Sequence, residues 1–66
     1  MREGTVEYFN ASKGFGFITP DDGGKRIFVH IKNVADGTPL QPGDRVLFEV
    51  RADREGRPEA RGVKVL

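Results

Sequence analysis

Apolar residues in this chain fall in short runs that alternate with polar or small residues, and no run carries the 3.6-residue period of an amphipathic helix. Glycine and proline divide these runs into five predicted strands. Gly4 to Phe9 reads as the first strand, with Asn10 to Gly14 as a turn. Gly14 to Thr19 is the second strand, and Pro20 to Gly24 is a hairpin connection. Arg26 to His30 is the third. A longer link follows, with a short helical turn expected around Ile31 to Val34 and breakers at Asp36 to Pro39 and Pro42 to Asp44. Arg45 to Ala52 alternates cleanly, placing Val46, Phe48 and Val50 inward and Leu47, Glu49 and Arg51 outward. Asp53 to Arg57 then turns the chain into a last strand, Pro58 to Leu66.

Five strands of this length predict an all-β fold, a five-stranded antiparallel Greek-key barrel of the OB type, whose closure removes most exposed sheet edge. The period of two also sorts the second and third strands into faces. Phe15 and Phe17 point to one side, as do Phe28 and His30, while Gly16, Ile18, Ile27 and Val29 point to the other. The aliphatic side fills a core, which leaves the rings together on the outside. Exposing several aromatic rings to water is unfavourable, so such a patch marks a binding surface. Lys13 heads the segment and His30 closes it, so the expected ligand is flat, stackable and anionic, as single-stranded nucleic acid is. Phe9 and Phe48 are expected in the core.

Length and charge narrow the picture. At 66 residues the chain is one domain, spanning 1–66, and either a whole small protein or a domain of a longer one. A domain of this size buries only about 60% of its unfolded surface. Cysteine is absent, so neither disulfides nor thiolate metal sites contribute, which fits a reducing cytoplasm. No apolar run approaches a membrane span or the core of a signal peptide. Eleven Lys plus Arg against ten Asp plus Glu leave the charge near zero, so any attraction to phosphate rests on local arrangement.

The stretches Tyr8-Phe9-Asn10, Lys13 to Thr19 and Ile27 to His30, with Gly43 to Val46 and Ala60 to Val63, resemble the bacterial cold-shock domain family over essentially the whole chain. The resemblance implies base stacking at Phe15, Phe17, Phe28 and His30, a basic contact at Lys13, and loop positions beside the binding face for Lys25 and Arg57. Tyr8 joins the platform where the family usually has tryptophan. Other departures are Glu7 in place of lysine, Ile31 in place of phenylalanine, and a Val34–Gly43 loop about two residues short that lacks its usual aromatic. A carboxylate at position 7 is expected to repel phosphate. Losing two stacking partners at about 1–3 kcal/mol each weakens binding by about 2–6 kcal/mol, with non-additivity favouring the lower end.

The function implied is a single-stranded RNA- or DNA-binding domain, monomeric and without cofactor, acting as an ATP-independent RNA chaperone with weakened affinity and at most a slight preference for pyrimidine-rich strands. The alternative is a protein-interaction or regulatory domain that keeps the fold with little nucleic-acid affinity. An enzyme is disfavoured, since no nucleophile–base pair or metal cluster is present. The lone His30 makes a poor metal ligand set, and Asp21-Asp22 reads as turn hydrogen bonding rather than acid–base chemistry. Lys25, Arg26, Lys32 and Arg57 are supplementary cations. Arg51, Arg54, Arg61 and Lys64 alternate with Asp53, Glu55 and Glu59 as a mixed-charge solvent face.

Overall fold

The computed structural model describes residues 1–66 and contains five strands and one 3-10 turn. Strand β1 covers Arg2–Asn10, β2 Phe15–Pro20, β3 Ile27–His30, β4 Arg45–Ala52 and β5 Pro58–Val65. The 3-10 turn, Ile31–Asn33, lies where the sequence marks a helical turn. No helix is long and apolar enough to cross a membrane.

The strands close into an OB-type barrel in the order β1-β2-β3-β5-β4. One strand direction departs from the expected all-antiparallel arrangement: β3 and β5 run parallel, with Phe28 opposite Glu59 and Val29 opposite Ala60. The cause is parity. Directions can alternate all the way round a closed ring only if the number of strands is even, so a five-stranded ring must contain one like-directed pair. The other four pairings are antiparallel.

Two bulges set which side chains face in. In β1 the register with β2 slips between Val6 and Tyr8, leaving Glu7 as the extra residue. Strict alternation from buried Val6 would turn Tyr8 inward and Phe9 outward. The bulge reverses this: Glu7 and Tyr8 are both exposed, and Phe9 packs half-buried against the core. In β5 the register with β4 shifts at Gly62, whose positive φ of 60° suits glycine. Ala60 and Val63 therefore both reach the interior although three positions apart.

The core consists of Val6, Ile18, Ile27, Val29, Val34, Leu40, Val46, Phe48, Ala60 and Val63. Val50, expected inside, is half-buried against it. Val34 and Leu40 come from the long link between β3 and β4, which the sequence marks mainly by its breakers. That link is tied down by a Val34–Val63 bridge and by the Ala35 amide donating to the Val63 carbonyl at 2.8 Å. Glu59, expected on the solvent face, is instead buried, with the Arg61 guanidinium 3.3 Å from its Oε1.

A polar brace crosses one end of the barrel. Arg45 donates from Nη1 and Nη2 to the two carboxylate oxygens of Asp21 at 2.7 and 2.6 Å, and from Nη1 to Thr5 Oγ1 at 2.8 Å. Asp21 thus anchors the β2–β3 turn to β4 rather than forming a carboxylate pair with Asp22. The hydrogen bond from Arg45 holds the Asp21 carboxyl below its usual range, against a smaller upward push from desolvation. A folded-state pKa below the unfolded one stabilises the fold above the ordinary carboxylate value, about 3.9, and this contribution disappears as pH falls through the lowered value. Asp21→Asn is accordingly expected to lower the Tm at neutral pH, with the difference from wild type shrinking below about pH 4. Thermal melts across pH 2–7 check this; a difference that stays constant with pH would exclude the brace as its source.

Candidate nucleic-acid interface

The outer face of β1, β2 and β3 is built by register. β2 and β3 pair so that Phe15 opposes His30 and Phe17 opposes Phe28. On the other side of β2, the bulge in β1 brings Tyr8 opposite Phe17. The resulting rings form one contiguous row. Tyr8 and Phe15 lie 6.4 Å apart at 60°, Phe15 and Phe28 are stacked at 5.9 Å and 24°, and Phe28 meets Phe17 edge-on at 5.9 Å and 73°. These separations fall in the range of favourable aromatic pairs. Each ring shields its neighbours, so Phe15, Phe17 and Phe28 are half-buried, while Tyr8 is 45% exposed.

His30, half-buried opposite Phe15, caps the 3-10 turn: its Nδ1 accepts the Lys32 amide at 3.1 Å. The neutral ring therefore carries its hydrogen on Nε2. Beside Phe17 and Phe28 opens a cleft of about 250 Å³, also walled by Asp53, Arg57 and Pro58. Arg57 thus stands next to the rings, but its charge is already engaged. Its guanidinium donates to Glu55 Oε1 at 2.6 Å and to Asp53 Oδ2 at 3.3 Å. Asp53 Oδ1 accepts the backbone amides of Arg57 and Glu55, both at 2.9 Å. The Arg57 amide contributes most to holding the Asp53 carboxyl below its usual range.

Lys13 and Lys25 are exposed and form no ion pair. Lys13 sits in the β1–β2 turn, where its amide donates to Asn10 Oδ1 at 3.0 Å. Two side chains that the sequence offers separately, Arg26 as a supplementary cation and Glu7 as a repelling carboxylate, meet on this face. The Arg26 guanidinium carbon lies 4.5 Å from the centroid of Phe17, and Glu7 Oε1 accepts from Arg26 Nη1 at 3.5 Å. The outward direction of Arg26 follows from its parity with Phe28 and His30, but its partner, nineteen residues earlier, leaves no local signal.

The family described as the 'Cold-shock' DNA-binding domain matches the chain over residues 2–66. The chain belongs to the cold-shock domain family. It is 46% identical to a cold shock protein of Arthrobacter globiformis over the full length of both chains. It is equally identical to the cold shock-like protein CspE of Escherichia coli, covering 97% of this chain and 94% of that one. The solved structure of Drosophila Unr CSD456 superposes with a TM-score of 0.80 at 29% identity, over 98% of this chain and 26% of that one.

In this cold-shock domain the departures from family pattern acquire a geometry. Ile31 lies within the 3-10 turn and packs against the Gly14 turn, where a Cβ on Gly14 would come within 2.9 Å of Ile31 Cγ2. Glu7 is no isolated negative charge, because Arg26 balances it. Tyr8, smaller than the usual tryptophan, tilts against Phe15 rather than stacking flat on it.

Proposed function

We propose that this cold-shock domain binds single-stranded RNA or DNA by stacking unpaired bases on Tyr8, Phe15, Phe17 and Phe28. In this reading His30 offers its Nε2 hydrogen at one end, and Lys13, Lys25 and Arg57 meet phosphates at the rim. The observation that carries the reading is the unbroken row of four rings on the outer face of a barrel whose interior is filled by other residues. Stacking tolerates any base, so selectivity is slight, with pyrimidine-rich strands favoured modestly. Holding single strands opposes base pairing by mass action, which makes the domain an RNA chaperone that needs no ATP, no cofactor and no catalytic group. It acts as a monomer in the cytoplasm.

Affinity is set below that of a platform with tryptophan and an additional phenylalanine, since Tyr8 offers less surface and Ile31 none. Arg57, balanced by Asp53 and Glu55, adds less attraction than a free cation. The alternative of a protein-interaction domain draws on Glu7 as a repelling charge, and the pairing of Glu7 with Arg26 weakens that support.

Phe28→Ala is expected to weaken binding of a short T-rich single strand by about 1–3 kcal/mol while leaving the Tm within a few degrees of wild type. Fluorescence anisotropy with a matched duplex as control measures this. Equal affinity of wild type and variant for the single strand, or a preference for duplex, would overturn the stacking platform.

A further inference from the structure

We infer that Arg26 is an additional binding residue of this face: its guanidinium forms a cationic shelf over Phe17 on which an unpaired base stacks, and Glu7 is the positioning residue that holds it there. The inference rests on the single-strand reading above. Arg26 immediately precedes β3, which begins at Ile27 rather than at Arg26 as the sequence suggests, and lies two residues before Phe28. Its contact with Phe17 sets it at the edge of the outer face, just beyond the Phe17–Phe28 pair. Its guanidinium carbon, 4.5 Å from the Phe17 centroid, is inside the cation–π range of about 6 Å. A base arriving at the Phe17 step therefore stacks on the guanidinium with the ring directly beneath it, so that Phe17 and Arg26 act as one step of the platform.

The outer side of that guanidinium is open. The Arg26 side chain is 61% exposed despite its two tethers, the ring below and the Glu7 carboxylate beside it. Glu7 reaches this position because the β1 bulge turns it outward together with Tyr8. An exposed pair of this kind adds little to stability, so its consequence lies in where the guanidinium is held. A guanidinium is planar and permanently charged, and it serves as a stacking partner for bases as an aromatic ring does. Held in place beforehand, it loses less side-chain freedom when a base arrives. The residue expected to repel the strand thus recruits a cation to it.

Titration of a labelled T-rich single strand with wild type, Arg26→Ala, Arg26→Lys, Glu7→Gln and Phe28→Ala, at low and near-physiological salt, tests the inference. Arg26→Ala is expected to bind about five- to tenfold more weakly. Arg26→Lys, which keeps the charge but not the flat face, should remain weaker than wild type at both salts. Glu7→Gln should also lose affinity, although it removes a negative charge. Thermal melts close to wild type for these exposed positions separate loss of the shelf from loss of the fold. Wild-type affinity in Arg26→Lys would reduce Arg26 to a plain charge. Unchanged or tighter binding by Arg26→Ala would mean that the guanidinium shields Phe17 or is irrelevant, and tighter binding by Glu7→Gln would mean that Glu7 repels. If Phe28→Ala loses affinity and Arg26→Ala does not, only the shelf falls; if wild type binds no single strand, the functional reading falls with it.

Discussion

Gly16→Val is expected to abolish the native fold at room temperature. Gly16 lies in β2 opposite Phe9 of β1 and Val29 of β3, facing inward. Its own φ is not positive, so the constraint is space alone. A Cβ built there would overlap the Tyr8 carbonyl oxygen and come within 2.7 Å of Phe9 Cδ1 and 2.8 Å of Phe9 Cα. Side-chain atoms at that distance can rotate away, but the β1 backbone cannot, because the bulge at Glu7 already fixes its path over Gly16. Overpacking of a core typically costs about 1–3 kcal/mol, and more where backbone must move. The whole fold holds only about 3–10 kcal/mol at this length. Loss of chemical-shift dispersion and of a cooperative melt would show the collapse; a Gly16→Val domain melting near the wild-type temperature would refute the close approach.

The second large effect belongs to Phe48→Ala, expected to cost about 3–5 kcal/mol. The Phe48 ring is fully buried and fills the centre of the barrel, with Cε1 reaching within 3.2 Å of where a Gly4 Cβ would stand. Its removal leaves a void between strands that the hydrogen-bonded ring holds apart, so little collapse can refill it. For a domain of this size each kcal/mol shifts the Tm by about 4–8 °C, which puts the loss above about 12 °C. Comparison with Phe28→Ala makes the test sharp. The same substitution at two phenylalanines separates core from surface, since one should lower the Tm and spare any remaining affinity, while the other does the reverse. A small Tm change in Phe48→Ala would place that ring outside the core.

The five strand positions and the faces of β2, β3 and β4 were legible in the sequence because breaker residues and period-two alternation are local. Phe15, Phe17, Phe28 and His30 fall on the outer face for that reason alone. Tyr8 is different: alternation from Val6 points it inward, and only the resemblance to a known family placed it with the other rings. The bulge that turns it out depends on how β1 coils over Gly16, which no local pattern encodes. The parallel β3–β5 pair required knowing that the ring closes. Charge was the least legible layer, since a side chain's partner lies far along the chain. Glu7 reads as repulsive until Arg26 is seen beside it, Arg57 reads as free until Asp53 and Glu55 are seen around it, and Asp21 reads as a turn residue until Arg45 reaches it from β4. Leu40 escaped for a similar reason: a single apolar residue between two prolines carries no period, yet the barrel end gives it a buried seat.

The contacts among Phe15, Phe17 and Phe28 carry a consequence for how association divides between order and disorder. A row of isolated rings would rotate freely in the unbound domain and would have to be stilled one by one, at about 0.5–1.5 kcal/mol for each immobilised side chain. Here the rings already constrain one another at 5.9 Å, and Arg26 rests on the last of them. Their rotational freedom is given up when the chain folds. Whatever lies down on this face meets a surface at rest, and the entropy lost in the encounter is mainly that of the arriving molecule.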